Sequence, residues 1–256
     1  MEMHHGTGVL WSDWQVAPEI ILPLALITYL FFKSSDVTKF QRLYFFGALV
    51  SIVAVVNSPV GTRAPDYFSL HMIQHITLMM VTGPLLVMAT PRNFQPQHYF
   101  FKLFTHPVLS WVLYALLMVG VHLPGPHNFI MMNPWAHTYI EVPLYIALPY
   151  LFYFNLLDRK LKDRRVSPAF SVISLFLMMV PETLTGFFIY VSRGSLYDNM
   201  YTLNDQRMGG SFMWSGAMII DTIWMAFAVY HWIKSEELKS HEVDAEIAAE
   251  KNASNE

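Results

Sequence analysis

The chain has 256 residues, of which 54% are hydrophobic and only 14% charged, with a formal net charge of −3. It is too apolar for a disordered polymer and too poor in basic residues for a nucleic-acid surface. It contains no cysteine, which excludes a disulfide scaffold, a thiolate zinc site and a thiol nucleophile.

In chain order, a short start with His4 and His5 leads into an apolar run over 16–33. The first 33 residues hold no basic n-region and no small-residue cleavage site, so the run reads as a retained span rather than a signal peptide. Three long windows without a charge follow: 20 residues between Arg42 and Arg63, 25 between Asp66 and Arg92, and 38 between Lys102 and Glu141. Crossing the hydrocarbon core takes about 20 predominantly apolar residues. The pattern predicts seven helical spans, near 16–33, 43–59, 68–89, 107–123, 138–156, 168–191 and 211–233. The expected fold is an all-α, polytopic membrane bundle of seven transmembrane helices over 1–233. A polar, partly disordered tail over 234–256 follows it.

Basic residues in short loops mark the cytoplasmic side of a membrane. Of the 16 Lys and Arg, 13 fall after spans one, three, five and seven, five of them in the run Asp158 to Arg165. Only Arg63, Arg193 and Arg207 fall on the other side. This split places the N-terminus outside and the C-terminus in the cytoplasm, as for a multi-pass membrane protein.

On that topology seven of the 11 histidines lie at the outer side: His4, His5, His71, His75, His122, His127 and His137. His71 and His75 are four residues apart, which puts two imidazoles on one helix face. Met79, four residues on, adds a soft ligand to that face. His122 ends span four, and His137 and Glu141 begin span five with the same spacing. A lone interfacial His is ordinarily an anchor, and Met131-Met132 and Met178-Met179 read as packing. A His pair inside a span is different, because polar groups there are costly and commonly functional. Imidazole and thioether without thiolate suit copper, and imidazole also suits haem iron or zinc. The metal candidates are therefore His71, His75, His122, His137, Glu141 and Met79.

Three acids stand apart from that set. Glu182 lies inside span six and Asp221 inside span seven, where an unpaired carboxylate is expensive. Proton relay, metal ligation and helix–helix hydrogen bonding are all open to them. Asp205, near the start of span seven, is a further functional candidate or a helix cap. Span seven has no Lys between Met213 and Trp232, so a retinal Schiff base is excluded. No hydrolase, phosphate-loop or H-E-x-x-H motif is present, and the chain does not read as an enzyme.

Two stretches carry a resemblance. The first is His71-Met72-Ile-Gln74-His75-Ile-Thr-Leu-Met79-Met80-Val-Thr-Gly83-Pro84-Leu85-Leu86, ending at Pro91. The second is Asp205-Gln206-Arg-Met-Gly209-Gly210-Ser-Phe-Met213-Trp214. Together they resemble the CtaG-type cytochrome c oxidase assembly factors of bacterial membranes, which show H-M-x-x-H followed by P-L-L, and D-Q-x-x-G-G-x-x-M-W. Many relatives also carry H-x-x-E-H after span four. Here the chain reads His137-Thr-Tyr-Ile-Glu141-Val142-Pro143, so the third and fourth ligands stay open. The resemblance implies assembly of a haem–copper oxidase, with an oxidase subunit as partner, the lipid bilayer as environment and copper as the metal handled at the outer face. The competing expectations are a copper or small-solute transporter, with Glu182 and Asp221 along its path, and a haem-binding membrane redox protein.

Overall fold

The structure, a computed structural model, describes residues 12–16, 18–33, 37–91, 94, 98–157 and 166–253. His4 and His5 and the basic run at 158–165 lie outside the described residues. Among the described residues there is helix and no strand. The long helices are α1 (Pro18–Lys33), α2 (Lys39–Thr62), α3 (Phe68–Ala89), α4 (Pro107–Gly120), α5 (Pro124–Met132), α6 (Pro134–Leu157), α7 (Pro168–Val191) and α8 (Leu203–Ala248), which continues to Ala253.

Local chemistry sets the helix starts. Proline opens α4, α5, α6 and α7, where its missing N–H costs nothing. Thr38 and Gln41 form a reciprocal capping box at α2, which satisfies two otherwise orphaned groups. Gln41 Nε2 then donates to Thr90 O at 2.6 Å, tying the start of α2 to the end of α3.

Five helices, α2, α3, α6, α7 and α8, are long and apolar enough to cross a membrane, and α4 with α5 makes a sixth span if the bent pair is one. The apolar helices make this a multi-pass membrane protein. The expected seventh, α1, has 16 residues and falls short of the usual about 20. Its ends are nonetheless tied to both ends of α2. Arg63 donates to Asp13 at 2.8 Å and Gln15 N donates to Asn57 O at 2.9 Å, while Phe31 stacks on Phe45 at 4.0 Å.

The fourth span departs from expectation. The run predicted over 107–123 ends at Gly120, and the chain turns by 77° into α5. Pro124 disfavours helical geometry at the residue before it, so the break falls at 121–123 and carries His122. The last span starts at Leu203 rather than near 211, and the helix runs on through most of the expected polar tail.

Large apolar side chains such as Leu22, Phe46, Phe188 and Ile219 face outward, as lipid contact requires. The interior holds Phe68, Met72, Tyr114, Tyr145 and Tyr153 together with nearly all the buried polar groups.

Candidate metal centre

Three helices deliver the site. α3 carries His71, Gln74 and His75, the α4–α5 break carries His122, and α6 carries His137 and Glu141. The α3 imidazoles stand side by side, ring centroids 3.9 Å apart, and both are buried. Glu141 Oε1 lies 3.2 Å from His75 Nε2 and 3.6 Å from His71 Nε2. One ligand atom from each of the three residues lies within 4.8 Å of the others. Ligands bound at about 2 Å to one metal ion sit roughly 3 to 4 Å apart, so the triad is sized for a cation.

Hydrogen bonding tests the fit. Both nitrogens of His71, both of His75 and both oxygens of Glu141 are buried without a hydrogen-bond partner. Leaving one such group unsatisfied typically costs about 1–3 kcal/mol, and native interiors rarely tolerate several together. A metal ion held by one nitrogen of each imidazole and by the carboxylate would satisfy one ligand atom of each residue, which is the grouping the three side chains offer. Tyr145 supports the arrangement by stacking under His75 at 3.8 Å.

Partners assign the tautomers of the outer imidazoles. His122 Nδ1 contacts the Met118 carbonyl, which only accepts, so the proton sits on Nδ1. Its buried Nε2 keeps a lone pair and has no partner. The His122 ring stands 5.4 Å from that of His75, nearly perpendicular. Tyr197, in the loop before α8, donates its hydroxyl to His122 O at 3.1 Å. Burial raises the Tyr197 pKa, so the phenol stays a neutral donor.

His137 is set differently. Gln74 Nε2 donates to Val55 O at 2.9 Å, which leaves its Oε1 to accept from His137 Nε2, also at 2.9 Å. His137 Nε2 therefore presents a proton, not a lone pair, and lies 3.7 Å from Glu141 Oε2. That nitrogen is taken up by Gln74 and is not free to join the triad.

Met79 is buried in the apolar core, and a wider π turn over Thr77–Thr82 begins just past His75. Similar π turns span His137–Glu141 and Phe212–Gly216.

Asp205 stands away from the ligands, at the head of their helix. Its carboxylate accepts from the amides of Phe68 and Ser69 and from the Ser69 hydroxyl. It thus caps α3 from across the bundle, while Thr202 caps its own helix α8. Gln206 accepts from Leu196 N at 2.8 Å. Gly209 lies against Phe68, and Gly210 packs on α7, where an added Cβ would stand 2.7 Å from Tyr190 N. The second motif is the seat on which the histidine helix rests.

Glu182 and Asp221 are buried next to one another between α7 and α8, with Tyr114 and Tyr153 nearby. Neither belongs to the imidazole group.

Sequence reasoning missed three contributors: Gln74, Tyr145 and His127. Gln74 sits between the paired histidines and was visible as a polar residue inside a span. His127, whose Nε2 is 3.0 Å from Tyr201 Oη and whose ring is 5.3 Å from that of His71, approaches the site only because of the bend at 121–123.

Residues 28–235 match the model of the cytochrome c oxidase caa3 assembly factor family (Caa3_CtaG). An uncharacterized protein of Mycobacterium leprae (strain TN) is 22% identical over 219 residues, 73% of this chain. The chain spans about a third of the length of that curated relative. No solved structure gives a significant match. With the family model covering most of the described bundle, the chain belongs to the cytochrome c oxidase caa3 assembly factor family.

Proposed function

We propose that this assembly factor handles copper for the oxidase at the outer face of the membrane, as a binding and partner protein rather than an enzyme. The observation that carries the reading is the buried, unpartnered triad of His71, His75 and Glu141. His122 Nε2, held as a lone pair beside His75, is the fourth ligand in this reading. Imidazole-rich sites without thiolate suit copper and zinc among the first-row ions, with copper the tighter of the two. The outer placement rests on the uneven distribution of Lys and Arg between the two loop sets.

Cargo must enter and leave. The triad is sealed by α3 and α6, and His137 is the most exposed imidazole at its edge, with 13% of its side chain accessible. In this reading His137 is the imidazole that receives an ion before the buried nitrogens take it.

Metal analysis of purified protein, beside oxidase activity of the same cells, tests the proposal. The wild type is expected to retain about one copper per chain. The double substitution His71→Ala/His75→Ala is expected to lose that copper and to leave the cells deficient in oxidase activity, while the protein remains folded and inserted. Normal oxidase activity with the doubly substituted protein removes the assembly role of the site. Zinc retained in preference to copper overturns the cargo.

A further inference from the structure

The charges of the interior do not balance. Among the described residues no Lys or Arg is buried, whereas Glu141, Glu182 and Asp221 all are. Ionised carboxylates without a fixed positive charge beside them are costly in a membrane-spanning bundle. They are neutralised by a bound cation or by protons.

Glu182 on α7 and Asp221 on α8 are the acids that the imidazole centre leaves out. They are 2% and 4% exposed. Their carboxyl groups lie within hydrogen-bonding reach of each other. Two carboxylates have no proton to place between them, and in that state both oxygens of Glu182 and Oδ2 of Asp221 lack a donor. A proton turns the repulsion into a carboxyl–carboxylate hydrogen bond, which is strong because one partner is charged. The titratable groups in electrostatic range are Tyr114 from α4 and Tyr145 and Tyr153 from α6, so the surroundings offer neither a base nor a cation. A metal is the poorer occupant. Among the described residues three ligand atoms converge at His71, His75 and Glu141, and the acid pair has no third ligand of that kind.

A further buried group points from the pair toward the imidazole centre. Tyr145 is fully buried and its Oη has no partner, while its ring stacks on His75 at 3.8 Å. Both Glu141 and Glu182 act on its hydroxyl electrostatically. Tyr114 is likewise in range of Tyr145, Glu182 and Asp221. The acid pair and the imidazole centre therefore share one interior of low dielectric, where a charge is felt further than in water.

We propose that Glu182 and Asp221 form a proton-exchange site that gives up one proton when a cation enters the centre of His71, His75 and Glu141. The release rests on copper binding at that centre. In the metal-free protein Glu141 already places a negative charge in the interior, and the pair holds two protons. The entering cation offsets that charge and favours ionisation nearby. One carboxyl O–H bond breaks and its proton passes to water, while the second proton stays shared between the two groups. By linkage, the affinity for the cation rises as the pair loses that proton.

Infrared difference spectroscopy of the full chain in nanodiscs tests this through the carbonyl stretch of protonated carboxyl groups. Metal-free wild type at neutral pH is expected to show that band. Glu182→Gln and Asp221→Asn, which keep the side-chain volumes, are each expected to remove part of it, and the double substitution to remove it. Added copper ion is expected to weaken the band in the wild type. It is also expected to release about one proton more per ion from the wild type than from the double variant, read with a pH indicator in weak buffer. In His71→Ala/His75→Ala the band is expected to persist and the copper response to vanish. No such band at neutral pH, or a band unchanged in the double variant, overturns the proton site. Copper bound to the wild type with no change in the band overturns the link to the metal centre. Failure of the wild type to bind copper is a separate result: it removes the cargo role and the link with it, while the metal-free band still decides the proton site.

Discussion

Glu141 faces three imidazoles, those of His71, His75 and His137, and under the proposed function its charge is what would let the cluster hold a cation. Glu141→Gln keeps the volume and removes the charge. Copper retention is expected to fall by at least about ten-fold, read by metal analysis after dialysis against a weak chelator, while the helix content by circular dichroism stays unchanged. Gln74 acts one step further out, since it fixes the proton and the ring of His137, which stands beside Glu141. Groups that orient metal ligands typically contribute about 10–100-fold to affinity. Gln74→Leu is expected to weaken copper binding within that range, with a Glu141 effect no longer additive to it. The histidine pair and His137-x-x-x-Glu141 were legible from spacing alone. Gln74 was visible but carried no signal of its partner, because its bonds run to Val55 and His137, 19 and 63 residues away.

Element geometry explains why the two motifs occur together. α3 brings the ligands, and the start of α8 holds α3 in place through Asp205 and Gly209. Capping substitutions to Ala typically cost about 0.5–2 kcal/mol. Asp205→Ala is expected to lie at the upper end, because it uncovers two amides and a hydroxyl across a helix contact, and to lower both the unfolding temperature in detergent and the copper content. Asp205→Asn is expected to keep most of both. Glycine supplies the sharper comparison. A Cβ at Gly210 would meet backbone atoms, Tyr190 N at 2.7 Å and Gly186 O at 2.9 Å, whereas one at Gly120 meets nothing within 4 Å. Gly210→Ala is expected to push α7 from α8 at a cost of about 1–3 kcal/mol, and Gly120→Ala is expected to be neutral in the same thermal melt. The sequence showed Asp205 as a functional candidate or a cap. That it caps a helix 136 and 137 residues away is a tertiary fact with no local pattern. The polar stretch Asn204 to Arg207 also hid the true start of the last helix.

At the scale of the whole molecule, apolar length was the legible quantity: the spans predicted near 68–89 and 168–191 match α3 and α7. Bends were less legible, because a proline-set break such as that at 121–123 leaves hydropathy almost unchanged. The count of spans turns on α1, whose 16 residues reach about 24 Å at 1.5 Å per residue, shorter than a hydrocarbon core of about 30 Å. Yet the contacts of Asp13 and Gln15 with Arg63 and Asn57 hold its start beside the end of α2, and the Phe31–Phe45 stack holds its end beside the start of α2. A helix so tied runs alongside α2, and crossing on 16 residues would require the bilayer to thin locally or the flanking residues to reach to the interface. The absence of cysteine gives this a clean test. Single substitutions Ser12→Cys, Gly125→Cys and Glu242→Cys, all at exposed positions, can be labelled in intact cells with a membrane-impermeant thiol reagent. Ser12→Cys and Gly125→Cys are expected to react from outside, and Glu242→Cys only after the membrane is opened. Labelling of Ser12→Cys on the same side as Glu242→Cys would mean that α1 does not cross, and labelling of Gly125→Cys only in opened cells would turn the histidine end toward the cytoplasm.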